Sequence, residues 1–433
     1  MSGRVSDRVM KKTTVRRAAP TRGKLSVLAQ LCNLIPGHLV GKLARECGVD
    51  AKARTFSAWS HVVAVLYAQL THAIGLNDVC DALHHHVGWL ARIRGATPPS
   101  RNGFSHANKH RDAAMAEQLF WAVLSHLQSL QPQFGAGRRF KGLAGRFKRI
   151  VHVVDSTTIQ LVASCLDWAK HRRRKAAAKC HLRLDLQSLL PRFAIVDTAG
   201  DNDSARAREV CAGIRAGEIV IFDRAYVDFP HLFGLLIRGV FWVTRTKVNV
   251  QLRVVKKRLR RPAGKILRDD EVVLVTAKSR GEYPNRLRRV TALVELDGKE
   301  VEMEFLTNNF EWAAATIADL YRCRWQIEVF FKQIKQTLQL CDFLGHSANA
   351  VRWQVWIALL LYVLLRFQAF LHDWSHSFTR LFTLIRGVVW DRFHLPDLLA
   401  FYGTARARWR MRAQPDQAFL PGLAPQALGQ HPS

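Results

Sequence analysis

Acidic residues are scarce in this 433-residue chain: 34 Asp and Glu stand against 65 Lys and Arg, a formal net charge of +31, with an isoelectric point near 10.6. An excess of that size argues against neutral metabolites as the usual partners and calls for a polyanion. No basic amphipathic helix stands out and the positive charge is spread along the chain, so DNA or RNA is expected and a membrane surface is not. The eight cysteines (Cys32, Cys47, Cys80, Cys165, Cys180, Cys211, Cys323 and Cys341) include no CxxC pair. That argues against a disulfide framework and a zinc site and fits reduced thiols in the cytosol. The most apolar run, VWIALLLYVLL from Val355 to Leu365, meets Arg366 well short of the ~20 residues that span a bilayer, and predicts a buried helix. Arg16-Arg17 lacks the apolar segment that would make it an export signal, so Met1 to Lys24 reads as a flexible basic arm lying on DNA phosphates.

What is present is enough to fold. With 48% hydrophobic residues and a mean hydropathy of -0.06, the chain can bury a substantial core divided into two or three domains. Its most informative stretch runs from Asp319 to Leu340, DLYRCRWQIEVFFKQIKQTLQL. Without Gly or Pro, and with Leu320, Ile327, Phe331, Ile334 and Leu338 at helical spacing, it predicts one uninterrupted helix. At roughly 100° per residue, Tyr321, Arg324, Glu328 and Lys335 fall within an arc of about 60° beside the apolar stripe. A carboxylate between two cations and a phenol suits a site for metal and phosphate together, with Glu328 as metal ligand and Arg324 and Lys335 on phosphate oxygens. The competing reading is an exposed helix with ordinary i, i+4 pairing of Arg324 and Glu328.

Upstream, the short strand Ile150 to Val154 ends in Asp155, and a carboxylate at the end of a buried strand is costly unless it is paired or binds metal. CHLRLDL and RFAIVD predict two more strands, Asp203 a cap for a helix from Ser204 to Ala216, and EIVIF a fourth strand ending in Asp223. A fifth follows at Val240 to Thr246. Between it and Asp319 the alternating segments VVLVTA, RRVTALVEL and VEMEFLT predict an all-β insertion over about 247–307.

The order Tyr321, Arg324, Glu328, Lys335 resembles the YREK motif of bacterial insertion-sequence transposases of the DDE class, and Asp155 and Asp223 stand where that family has its first two catalytic aspartates. The resemblance implies an α/β fold: an RNase H-like mixed sheet core with an all-β insertion, preceded by an all-α N-terminal domain. It implies a DNA transposase that cuts an insertion sequence and transfers its strands by phosphodiester hydrolysis and transesterification. Asp155, Asp223 and Glu328 would hold two Mg²⁺ ions, with Mn²⁺ able to substitute. The implied partners are double-stranded DNA, both the element's terminal inverted repeats and the target, and a second subunit when two ends are paired, in the bacterial cytoplasm on the nucleoid. One departure is that Ala225 stands where Gly is expected, which would matter if that turn needs a positive φ.

The implied division is a basic arm (1–24), a helical DNA-binding domain (25–133), a basic linker (134–149), the catalytic domain (150–403) and a disordered tail (404–433). In the helical part, Ser100 predicts the cap of a basic helix carrying Arg101, Asn102, His106, Asn108, Lys109, His110 and Arg111. Arg101, Lys109 and Arg111 are its expected DNA contacts, in helix-turn-helix fashion. His84-His85-His86 reads as a solvated run, since consecutive helical residues point apart. Trp242 and Trp325 either stack on an unpaired base or are buried. Two other functions are compatible: a structure-selective nuclease on the same core, and a catalytically silent DNA-binding protein.

Overall fold

The computed structural model describes residues 19–50, 55–136, 147–161, 165, 170–171, 175–198, 203–247, 249–296, 298–338 and 343–403. Most of the basic arm, the middle of the basic linker, the tail, Leu340 and Cys341 lie outside them.

The sheet is built around β1 (Val151–Leu161). It pairs antiparallel with β3 (Lys175–Asp185) and parallel with β5 (Ile219–Phe222), which in turn pairs parallel with β6 (Phe241–Arg245). β2 (Lys170–His171) and β4 (Leu190–Thr198) both pair with β3. All four residues of β5 are buried, as an apolar β-branched run requires when helices cover both faces of a parallel pair. The order β4 and β2 on β3, then β1, β5 and β6, with β1 antiparallel to β3 and parallel to β5, is the RNase H-like arrangement expected.

Two predicted lengths differ. β1 does not stop at Val154 but runs on as part of an antiparallel pair with β3, so Asp155 is internal to its strand. The helix after β4 covers only Asp203–Val210, after which the chain turns toward β5. The insertion forms β7 (Leu252–Lys257), β8 (Ile266–Leu274), β9 (Leu287–Leu296) and β10 (Lys299–Thr307), with a helix at Ala277–Glu282 that the strand patterns did not show. β10 pairs with β6 through Phe305 and Arg245, so the insertion extends the same sheet, which has ten strands among the described residues.

Among the described residues, eight helices precede β1: α1 (Val27–Cys32), α2 (Gly37–Glu46), α3 (Ala58–Thr71), α4 (Leu76–His85), α5 (Val87–Ala91), α6 (Arg101–His110), α7 (Ala114–Leu130) and α8 (Pro132–Gly135). Helices α9 (Asp203–Val210) and α10 (Phe229–Ile237) pack on one face of the sheet around Trp242 and Tyr283, and α11 (Ala277–Glu282), which buries none of its residues, lies beside α10. On the other side lie α12 (Ala314–Arg322), α13 (Trp325–Lys332), α14 (Ala348–Leu371), α15 (Phe378–Gly387) and α16 (Leu395–Gly403).

The axis of this side is α14. Ser347 caps it by accepting from the Ala350 N–H at 3.2 Å. It runs past Arg366 to Leu371 and is long and apolar enough to cross a membrane, but 78% of its most apolar window is buried inside the protein. Helices α3, α6 and α7 pack on it, with His61 against Trp353 at 4.4 Å and Phe120 against Trp356 at 5.5 Å. The Tyr362 hydroxyl reaches across to donate to the Leu189 carbonyl between β3 and β4 at 3.0 Å. One hydrophobic core therefore runs from the N-terminal helices through α14 to the sheet. That continuity fixes the N-terminal helices relative to the face of the sheet that carries α12 and α13.

Candidate active site

Asp155 and Asp223 are brought together by strand register. The last parallel pair of β1 and β5 is Val154 with Phe222, and each carboxylate is the next residue along its strand. Asp155 Oδ1 accepts from the Ser156 N–H at 2.8 Å. Asp223 sits in extended conformation before a 3₁₀ turn, Arg224–Tyr226. Ala225 is not among the residues with positive φ, so this turn makes no demand for glycine. The turn is anchored from below by a bond that no sequence pattern announces, between Tyr226 Oη and His181 Nδ1 at 3.0 Å.

The third component arrives on α12 and α13, and here the single predicted helix is corrected. At Cys323 and Arg324 the backbone stays in the right-handed helical region, but the hydrogen bonds contract to three residues: Arg324 to Tyr321 at 2.9 Å, and Ile327 to Arg324 at 3.0 Å. After Lys332 the coil loosens into a π-helical turn, Gln333–Thr337. A 3₁₀ turn advances about 120° per residue and a π turn less than 100°, so these two irregularities re-aim side chains that an ideal helix would hold in one arc.

The result is a connected polar cluster. The Tyr321 hydroxyl donates to Asp223 Oδ1 at 3.2 Å, its ring lying against Phe305 at 4.9 Å. Arg324 Nη1 donates to Asp155 Oδ2 at 2.9 Å and Nη2 to Glu328 Oε1 at 2.5 Å. Glu328 is more open than Asp155 and Arg324, its side chain 34% exposed against 17% and 18%. Lys335 is half-buried on the π turn and makes no hydrogen bond or ion pair among the described residues. The i, i+4 pairing of Arg324 with Glu328 does exist, but inside a cleft and shared with a strand carboxylate.

The electrostatics follow from crowding. Burial pushes the Asp155 carboxyl up to about 6, and Asp223 and Glu328 push the same way against the Ser156 N–H and Arg324. Burial, with Asp223 second, raises the Tyr321 phenol to about 12, so it remains a donor at neutral pH. Burial works against the Arg324 charge, yet Tyr321, Asp155 and Glu328 together hold its pKa above the ordinary value. Among the described residues, no three Asp, Glu, His or Cys side chains stand close enough to hold an ion in this arrangement. The reason is visible: the guanidinium occupies the place between Asp155 and Glu328. A cation is what these oxygens call for, and their hard-oxygen chemistry fits a divalent ion that competes with Arg324 for the same ligands. The Arg324 Nε is buried and has no hydrogen-bond partner among the described residues.

The expected DNA-reading helix is α6, capped as predicted by Ser100, which accepts from the Gly103 N–H at 3.1 Å. Arg101, Asn102, His106, Lys109 and His110 are exposed on it, as a nucleic-acid contact requires. Arg111 is not: it is buried, donating to the Ser57 carbonyl at 3.0 Å and to that of Phe56, with its guanidinium over the Phe56 ring. It is removed from the DNA contacts, because in an extended C-cap conformation its side chain turns back onto the start of α3. Asn108 is likewise buried, accepting from His61 Nε2 at 2.8 Å and donating to the Leu344 carbonyl, ahead of α14, at 3.5 Å. Trp242 is fully buried and excluded from base stacking, whereas Trp325 is 58% exposed.

His61, completely enclosed, has its pKa lowered to about 3 by burial, and His231 to about 4 for the same reason. A folded-state pKa below the unfolded value means that the unfolded chain takes up protons first. Stability is then complete above about pH 6.5 and falls below it by about 1.4 kcal/mol per pH unit for each histidine. The raised Asp155 carboxyl opposes one of the two between about pH 6 and 4. Denaturant unfolding of the metal-free protein should therefore be flat above neutrality and lose about 1 kcal/mol or more by pH 5; a flat profile through that range would contradict the burial of these rings.

Residues 146–364 match the family described as the transposase DDE domain. Residues 24–93 match a family described as a domain of unknown function. A chain of Sinorhizobium fredii named as a transposase, y4zB, is 31% identical over 68% of this chain and 78% of its own length. A Geobacillus stearothermophilus chain named as the transposase of insertion sequence IS5377 is 30% identical over 51% of this chain and 57% of its own. The solved piggyBac transposase synaptic complex with hairpin DNA superposes with a TM-score of 0.41 at 11% identity, over 86% of this chain and 82% of that one. With a family match covering half the chain and a relative matched over most of its length, this protein belongs to the DDE transposases of bacterial insertion sequences, DNA-cutting and strand-transferring enzymes that depend on divalent metal ions.

Proposed function

We propose that Asp155, Asp223 and Glu328 are the catalytic carboxylates and hold two Mg²⁺ ions, with Mn²⁺ able to replace them. The observation that carries this reading is the convergence of a β1 carboxylate and its β5 neighbour with a helix that brings Arg324 to Asp155 and Tyr321 to Asp223. When bound, the ions would activate the attacking oxygen and stabilise the leaving one. The protein's own groups do the positioning. Tyr321 orients Asp223 by donating to one oxygen, while the other has no partner among the described residues. Arg324 presents a planar fork at the mouth of the site and, once released from Asp155, meets a DNA phosphate in bidentate fashion. Lys335, with no carboxylate partner among the described residues, adds a second positive charge. The substrates are the element's terminal repeats, where water cuts and frees a 3′-OH, and target DNA, which that 3′-OH then attacks. Two subunits pair two ends. Arg101 and Lys109 on the exposed face of α6 contribute to holding the DNA.

The direct test is incubation of purified protein with a labelled duplex taken from the DNA flanking its own gene, with Mg²⁺, with Mn²⁺ and with chelator. Cleavage at one defined terminus that requires the metal is expected. Tight, salt-sensitive binding with no cleavage in either metal would instead support the catalytically silent reading, and cleavage governed by DNA structure rather than sequence would support the nuclease.

A further inference from the structure

Just past Glu328 the protein has a second concavity, with an apolar floor that includes Val329 and Phe382. A cleft of about 420 Å³ opens between the end of α3, the α13–π segment and α15, and its rim includes Lys332, Gln333, Gln336, Thr337, Arg386 and His72. No carboxylate lines it. Lys332 and Arg386 are exposed, and neither has an acidic partner among the described residues.

The cleft is built rather than incidental. His72 ends α3 in the left-handed conformation, φ 60°, a state uncommon outside glycine that histidine adopts more readily than most residues. That turn places its ring against Phe382 at 5.0 Å and between two partners. Arg386 Nη1 lies 2.8 Å from Nδ1, and an arginine can only donate, so Nδ1 is the acceptor and the proton resides on Nε2. Nε2 then donates to the Thr337 carbonyl at 2.8 Å. Gln69 of α3 donates to the next carbonyl, that of Leu338. The π turn is thereby pinned from α3, while Arg386 is steadied by a neutral ring that leaves its charge uncompensated. A steadied guanidinium, an ammonium and two amide side chains, with no negative charge to neutralise them, form a site for a phosphodiester.

We propose that this cleft binds a backbone phosphate of the DNA strand that passes Glu328. Lys332 is one helical turn beyond Glu328, so a strand engaged at the carboxylates is led along the same helix into the cleft. The proposal rests on the active-site reading only for the course of the strand. Phosphate contacts carry no sequence information, so any short labelled duplex serves as the probe.

The test compares wild type with Lys332→Gln/Arg386→Gln by fluorescence anisotropy over a series of salt concentrations, with thermal unfolding measured alongside. Each phosphate contact contributes about -0.9 to the slope of log K against log salt. The double variant should bind roughly tenfold or more weakly at moderate salt, with a slope shallower by about one to two and an unchanged melting temperature. A Glu328→Gln protein, which removes negative charge at the carboxylates, should keep the full wild-type slope. Equal slopes for wild type and the double variant would overturn the cleft and leave the active-site reading standing. Wild type with no salt-dependent DNA binding would overturn both.

Discussion

A Glu328→Gln protein should cut and join DNA at least about a thousand-fold more slowly than wild type while binding a duplex with little change in affinity. Glutamine keeps the size of the side chain and one carbonyl oxygen but removes the charge. Charge is what a hard divalent cation takes from this position, and the ion's contribution to phosphoryl chemistry is several kcal/mol, which converts to that factor. Binding is spared because it rests on phosphate contacts elsewhere, with +31 of formal charge behind them. The geometry adds a diagnostic. With Glu328 neutral, Arg324 loses one of its two ionic partners, the 2.5 Å bond to Oε1, and is left to Asp155 alone. The variant should therefore remain folded, because Glu328 is partly exposed and its neighbour keeps a buried anion. Gel-resolved cleavage with Mg²⁺, together with anisotropy for binding, decides the matter. Cleavage by the variant at a wild-type rate would remove Glu328 from the triad, and failure of both cleavage and binding would place its role in DNA affinity.

An Asp269→Ala substitution, far along the sheet, should cost about 3–5 kcal/mol of stability, more than any substitution at an exposed charge. Asp269 of β8 receives two hydrogen bonds from Arg288 of β9, at 2.8 and 2.7 Å, and Arg288 is 2% exposed. Removing the carboxylate strands a guanidinium in the interior, and desolvation of an unpaired charge is the penalty that makes broken buried pairs so costly. The same guanidinium also donates to the carbonyls of Asn309, at 3.4 Å, and Trp312, at 2.6 Å. Those residues form the turn that launches α12, and α12 carries Tyr321. The substitution should thus weaken the catalytic face as well as the insertion, with DNA cleavage lost below the melting temperature. Denaturant unfolding of Asp269→Ala and of Asp269→Ala/Arg288→Met separates the contributions. The double variant should recover most of the loss, because the stranded charge is gone; no recovery would mean that packing, not the charge, is what the pair supplies.

The sequence on its own determined the class of partner and the fold class, and it pointed to the polar residues now proposed for the site. A charge excess is a sum and needs no coordinates. The β-branched runs before Asp155 and Asp223 report burial on both faces of a strand. The polar spacing from Tyr321 to Lys335 survives in part because helical geometry is local: Tyr321 reaches Asp223, Arg324 reaches Asp155, and Glu328 joins them through Arg324. Ser100 could be read as a cap for the same reason: the donor it satisfies is three residues away.

Tertiary structure alone decided the rest, and each case involves a partner distant in sequence. The helix of Tyr321 tightens at Arg324 and opens into a π turn after Lys332, where side chains are tied to β1, β5 and α3. No propensity scale registers such ties, since residues without Gly or Pro favour an unbroken helix in isolation. Arg111 has the composition of a DNA contact, but the carbonyls at the start of α3, more than fifty residues back in the chain, take its guanidinium. The apolar run ending at Arg366 belongs to a helix that continues to Leu371, because burial against α3, α6 and α7, rather than hydropathy alone, sets how far it extends. His72 and Arg386, 314 residues apart, meet only once α3 and α15 pack. Local spacing is written in the chain, whereas a contact between distant residues comes into being only when the core closes.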